Sequence, residues 1–215
     1  MENMENMENV IHGVFPTPVY IVKRDTILSP KERKEIGKII DKEGMYSNEG
    51  NLRSQNSYIF EGKLKGIKQF CEEQLDIYVS EIINPKEEAL DFYITQSWLN
   101  VTRPGEYHHV HAHQNSIISG VFYISTEEDD CITFIDPNNK VRDLIKFEPK
   151  EFNPFNSPSW FFPSVINQLM LFPSWLDHKV VPNEKATTDR ISLSFNTFVK
   201  GTLGNREDMT ELNLR

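Results

Sequence analysis

The chain has 215 residues, 38% hydrophobic and 11% aromatic, enough to bury a core in one domain of ordinary size. Its 23 Lys and Arg against 32 Asp and Glu leave a net charge of −9, a field that repels polyanions and makes nucleic acid a poor expected partner. No apolar run approaches the roughly 18 residues a bilayer span demands, and the acidic start lacks the basic and apolar regions of a secretory leader, so a cytoplasmic location without a membrane partner is expected.

The triplet repeat MENMENMEN opens the chain, and residues 1–12 are expected to be disordered. Val14–Val22 is β-branched and aromatic, with prolines at 16 and 18 that confine it to an edge strand. Ser29-Pro30 is a helix start and Gly44 a stop. Leu64, Ile67, Cys71, Leu75, Tyr78 and Ile82 recur at steps of three and four, which predicts an amphipathic helix over about 63–83, ended by Asn84-Pro85. Cys71 and the other cysteine, Cys131, read as reduced core residues.

From Phe92 the period changes to two. Phe92–Val101, Ser116–Ser125, Cys131–Asp136, Leu144–Phe147, Gln168–Phe172, His178–Val181 and Ile191–Lys200 read as strands between Pro, Gly, Asn and Asp clusters. The pattern is mainly β, a sandwich or jelly roll with N-terminal α-helices packed on a sheet. One domain over 13–200 is expected, helical over about 29–84 and jelly-roll over about 91–200, followed by a polar tail at 201–215 without a motif. The aromatic stretch 152–165 has no clear period and reads as a loop or a lid built on Trp160, Phe161 and Phe162.

The histidines carry the chemistry. In an extended strand His111 and His113 point to one side with Ala112 opposite, so two imidazoles can converge on one ion. A third, His178, precedes a later strand, and three ligands can take one face of an octahedral ion and leave three positions open. Ligation needs neutral imidazole, so metal affinity is expected to fall as pH drops through about 6.5. Arg190 is a bidentate clamp for a carboxylate, and Ser192, two along the same strand, adds a hydroxyl. His108 and His109 read as solvated neighbours, His12 as a surface residue, and Trp98 and Trp175 as core.

HAH at 111–113, the distal His178 and RIS at 190–192 resemble the motif set of the 2-oxoglutarate and Fe(II)-dependent oxygenases. Pro104-Gly105 looks like the turn that leads to the first ligand in prolyl hydroxylases and alkylation-repair dioxygenases, and Asn100 matches an asparagine that binds 2-oxoglutarate in the latter. HxHxNSxxSGVFYI and LFPSWLDHxVxP look similar to a group of largely uncharacterised bacterial and phage oxygenases. The resemblance spans Phe92–Phe198. It implies a double-stranded β-helix, Fe(II) held by His111, His113 and His178, and 2-oxoglutarate as co-substrate contacted by Arg190, Ser192, Asn100 and Tyr123. The implied reaction is a hydroxylation of a small-molecule or peptide substrate, with homodimerisation left open. His113 stands where the family pattern has a carboxylate, with Asp177 and Asp136 as other sources of one. Two competing readings are a cupin-type three-histidine dioxygenase or isomerase, which lacks its expected glutamate here and gives Arg190 no role, and a non-catalytic jelly-roll binding module.

Overall fold

Ser29 starts the first helix through a reciprocal pair of hydrogen bonds. Its hydroxyl accepts from the Glu32 N–H at 3.2 Å, and the Glu32 carboxylate accepts from the Ser29 N–H at 2.7 Å. Such a cap contributes about 1 kcal/mol. Helix α1 (Pro30–Lys38) runs into a π turn at Ile39–Glu43 and stops at Gly44, where φ is 95°. Helix α2 (Lys65–Tyr78) continues through a second π turn, Val79–Ile83, to left-handed Asn84 before Pro85. The computed structural model describes residues 11–87, 89–138 and 148–215. The strand expected at Leu144–Phe147 and the repeat at the start of the chain lie outside them.

The described residues form twelve strands: β1 (Tyr20–Lys23), β2 (Met45–Asn48), β3 (Asn51–Ser54), β4 (Asp91–Thr102), β5 (His108–His111), β6 (Ile118–Ser125), β7 (Cys131–Ile135), β8 (Ser159–Pro163), β9 (Gln168–Pro173), β10 (His178–Val180), β11 (Arg190–Leu203) and β12 (Leu212–Leu214). The major sheet has the order β1-β9-β6-β11-β4-β3-β2, with β12 paired to β11, and the minor sheet is β5-β10-β7-β8. The ladders are antiparallel, and the two sheets make the double-stranded β-helix, or jelly roll, with two α-helices on its outside.

Both faces of the major sheet are buried, and the alternation within each strand says against what. Leu169 and Leu171 of β9 and Leu193 and Phe195 of β11 meet Ile67, Cys71 and Leu75 of α2. Met170 and Phe172 turn the other way, toward Ile132 and Phe134 of the minor sheet. Strands covered on both sides lose polar alternation and become near-continuous apolar runs, as in QLMLF and GVFYI. A fully buried Leu of this kind contributes roughly 1.5–3 kcal/mol. Gly120 of β6 is fixed by contact: a Cβ there would lie 2.2 Å from the Phe195 ring.

Three segments depart from expectation. Ser159–Pro163 is not a lid but an edge strand, paired residue for residue with Cys131–Ile135. An edge tolerates Pro158 and Pro163, and its apolar residues face two environments, so no period of two shows. Met45–Ser54 forms a hairpin around Glu49-Gly50, with φ 100° at Gly50; its strands are four residues each and too polar to register as a pattern. Within 201–215, β11 extends to Leu203 and β12 returns against it, Gly201 opposite Leu214. No helix among the described residues is long and apolar enough to cross a membrane.

Candidate active site

Strands β5 and β10 set His111 opposite His178. His113 lies beyond the end of β5, because the ladder stops at His111; its N–H instead donates to the Ser174 carbonyl at 2.8 Å, in the turn that leads to His178. His111 and His113 therefore do not share a strand, yet their rings still converge. Potential ligand atoms of His111, His113 and His178 lie within 4.8 Å of one another. Phe134 and Phe172, whose rings are centred 6.1 and 4.8 Å from that of His178, wall the group from below.

Each of the three rings is held by its Nδ1. His111 Nδ1 meets the His109 carbonyl at 2.9 Å, His178 Nδ1 the Leu176 carbonyl at 2.9 Å, and His113 Nδ1 the Asn196 side-chain oxygen at 2.6 Å. All three partners are oxygen acceptors, so each Nδ1 carries the proton and each Nε2 of the neutral ring keeps its lone pair. That is the tautomer set a metal requires, fixed by groups behind the ligands. Burial, and then the neighbouring His111, pushes His113 down to about 4. Burial also lowers His111 and holds His178 well below the usual histidine range. The rings therefore give up their protons at lower pH than the value of about 6.5 expected from an unperturbed imidazole.

Neither alternative carboxylate joins them. Asp177 is exposed and acts on His111 only as a charge that raises it, and Asp136 lines a separate groove; among the described residues no Asp or Glu belongs to a group with converging ligand atoms. His108 and His109 are not solvated bystanders. With His111 they form a second group within 4.8 Å, and burial, followed by His111, pushes His108 down to about 3. This second group is not set for a metal in the same way, because the Asn48 amide nitrogen donates to His108 Nε2 at 3.2 Å and occupies that lone pair.

Away from the histidines a cavity runs between the sheets over the inner row of β11. In register, Arg190 faces Thr102, Ser192 faces Asn100 on one side and Tyr123 on the other, Ser194 faces Trp98, and Asn196 faces Gln96 and Ser119. Arg190, 7% exposed, donates from Nη2 to the Thr102 hydroxyl at 3.1 Å. No carboxylate among the described residues lies within 4.0 Å of its guanidinium. Asp130, which shares a small neighbouring cavity with Arg190, accepts instead from the Glu127 N–H and from Asn183. Asn100 donates to Ser194 at 2.9 Å, and its oxygen is buried without a partner. Tyr123 is buried beside them, and that burial pushes its phenol up.

The cavity brings together all seven residues singled out in the sequence: His111, His113, His178, Asn100, Tyr123, Arg190 and Ser192. Sequence reasoning missed Asn196, Thr102 and Asn51. Asn196 was within reach, since it continues the inward period of two set by Arg190 and Ser192 in RISLSFN. Trp98 lines the cavity and stacks on His113 with ring centres 5.8 Å apart, whereas Trp175 is 57% exposed rather than core, on the turn before His178. A separate groove of about 700 Å³ lies beyond Phe134 and Leu176. Trp160, Phe162, Phe155, residues 12–17, including exposed His12, and Val19 line it.

Residues 96–196 match the sequence profile of a family described as "Putative 2OG-Fe(II) oxygenase". No curated protein matches the chain at a significant level. Among solved structures the fold is similar to SnoK, a non-haem α-ketoglutarate-dependent carbocyclase from nogalamycin biosynthesis, with a TM-score of 0.58 at 11% identity over 84% of this chain and 79% of that one. HygX from Streptomyces hygroscopicus, crystallised with nickel and 2-oxoglutarate, gives 0.55 at 9% identity over 84% and 82%. A Pseudomonas putida prolyl-4-hydroxylase gives 0.51 at 15% identity over 82% and 91%. At these identities the likeness is one of fold.

Proposed function

We propose, for a chain that belongs through residues 96–196 to the 2-oxoglutarate/Fe(II)-dependent oxygenase superfamily and so is an enzyme of that class, a three-histidine iron centre and a hydroxylase reaction. The observation that carries the ligand assignment is the set of three Nδ1–H donors, each spent on an oxygen behind its ring, which leaves three Nε2 lone pairs for the ion. When bound, Fe(II) and 2-oxoglutarate supply the oxidising chemistry: one atom of O₂ leaves in succinate, with release of CO₂, and the other enters a C–H bond of the substrate.

The residues of the chain hold and orient. Arg190, with Ser192 beside it, takes the far carboxylate of the co-substrate; a buried guanidinium whose side-chain partner among the described residues is a threonine fits that anion. Tyr123 and the remaining amide hydrogen of Asn100, on the same inner face, donate further hydrogen bonds to it. Three neutral ligands leave the full charge of the ion uncompensated, which favours a dianionic co-substrate. Phe134 and Phe172 keep water from the ligand set. The groove at Trp160 and Phe162 is the proposed substrate side, suited to an apolar or aromatic group of a small molecule or peptide. Action in a reducing, cytoplasmic setting accords with the two free cysteines. The cupin reading leaves the buried Arg190 without a role.

The test is an anaerobic titration of the Fe(II)-loaded protein with 2-oxoglutarate, followed by the visible charge-transfer band of the chelate. The band is expected in the parent and absent in His111→Ala and His178→Ala at equal iron. Loading of both variants as tight as in the parent would remove the three-histidine assignment.

A further inference from the structure

The hairpin β2–β3 reaches the co-substrate cavity with one side chain that nothing in the motif set anticipates. Leu52 pairs with Val101 and Arg53 with Asn100. Residues opposite each other share a face and alternate along the strand, so Asn51 points to the same side as Asn100, one step farther toward Thr102 and Arg190. Asn51 is 4% exposed and lines the cavity with both of them.

Its orientation is fixed from behind. The Asn48 amide nitrogen donates to Asn51 Oδ1 at 3.0 Å, and its second hydrogen serves His108 Nε2 at 3.2 Å. With Oδ1 so occupied, Asn51 Nδ2 turns away, and it is fully buried with no hydrogen-bond partner. The hairpin is tied down as well: the Tyr107 N–H donates to the Gly50 carbonyl at 3.1 Å, and a Cβ at Gly50 would lie 2.7 Å from the Tyr107 oxygen. A buried amide donor without an acceptor, in the row of an arginine without a carboxylate, is a site with one component missing.

We propose that Asn51 Nδ2 donates to the carboxylate held by Arg190, making the hairpin a specificity element that selects 2-oxo acids with a second carboxylate. This rests on the co-substrate reading above. The chemistry recognised is a carboxylate oxygen between a guanidinium and an amide donor, with the Thr102 oxygen accepting from Arg190 behind them. Asn51→Asp preserves the acceptor for Asn48 and the side-chain volume while placing a negative charge toward the bound anion. Asn51→Ala removes the donor together with the oxygen that accepts from Asn48.

The experiment is the same anaerobic titration on Fe(II)-loaded parent, Asn51→Asp and Asn51→Ala, with 2-oxoglutarate and with 2-oxobutanoate, which shares the chelating end and lacks the distal carboxylate. Thermal melting and iron binding of each variant check that the site is intact. For 2-oxoglutarate the expected rise in Kd is about ten-fold in Asn51→Ala and about a hundred-fold in Asn51→Asp, while 2-oxobutanoate binds all three within about two-fold. Equal losses for both acids would make Asn51 a general support of the site and overturn the inference. So would an Asn51→Asp protein that binds 2-oxoglutarate like the parent, in which case the amide serves only a water. A parent that forms no 2-oxoglutarate band overturns the co-substrate reading itself, a result distinct from either.

Discussion

Replacing Arg190 by Met should stabilise the ligand-free protein and cripple co-substrate binding at once. The guanidinium is 7% exposed, has the Thr102 hydroxyl as its partner at 3.1 Å, and finds no carboxylate within 4.0 Å among the described residues. Holding an ion in such a place costs several kcal/mol of lost hydration, of which one neutral hydrogen bond returns about 1 kcal/mol. Met fills nearly the same volume without the charge. A net gain of about 2 kcal/mol follows, or a rise of about 4–8 °C in Tm for a chain of this size. On the ligand side, a carboxylate left without its clamp costs about 2–5 kcal/mol, a loss of about 30-fold to several thousand-fold in affinity. Thermal melts of both proteins across a 2-oxoglutarate series, with iron present and oxygen excluded, read the two effects together. The parent curve should climb with ligand and cross a flat Arg190→Met curve that starts higher. An Arg190→Met protein that melts below the ligand-free parent, or that climbs with ligand as the parent does, would refute the reasoning.

Acid should destabilise the metal-free protein through the buried imidazoles. Above about pH 6.5 His113 is neutral folded and unfolded and contributes no pH dependence. Between there and about 4, its folded value, the unfolded chain takes up a proton the folded one refuses, so stability falls with pH, by about 3 kcal/mol in all. His108, held down to about 3, acts in the same direction. Urea melts at pH 7.5, 5.5 and 4.5 check this, and a flat profile would contradict neutral burial. Asn196→Ala frees the His113 ring, and a ten- to hundred-fold loss of Ni(II) affinity is expected by calorimetry, with the fold intact by circular dichroism. Gly120→Ala forces a methyl group against the Phe195 ring and should cost about 1–3 kcal/mol in denaturant unfolding.

The sequence exposed what repeats or stands in line, and hid what depends on partners far away. The central strands β6 and β9 of the major sheet were legible because Leu169 to Phe172 and Val121 to Tyr123 are apolar on both faces, and α2 because its stripe from Leu64 to Tyr78 has one. β8 was not, since an edge strand with prolines at 158 and 163 has no periodic signature. At the site, the residues brought together were those in recognisable spacing, His111, His113, His178, Arg190 and Ser192. His113 leaving its strand and the orphaned Asn51 amide arise from register between distant segments, and no local pattern encodes them, whereas Asn196 lay on a period of two that showed its side but not its partner.

The order of strands also bears on how the protein is made. β11, the strand that joins β6 to β4 at the middle of the major sheet, is built from residues 190–203, later in the sequence than both of its partners. β1, at residues 20–23, must wait for β9 at 168–173. A ribosome therefore releases most of this sequence before its central pairing can form, so folding should be slow and dominated by contacts distant in sequence. A truncation before Arg190 would remove not a margin of the sheet but the piece that turns its two halves into one.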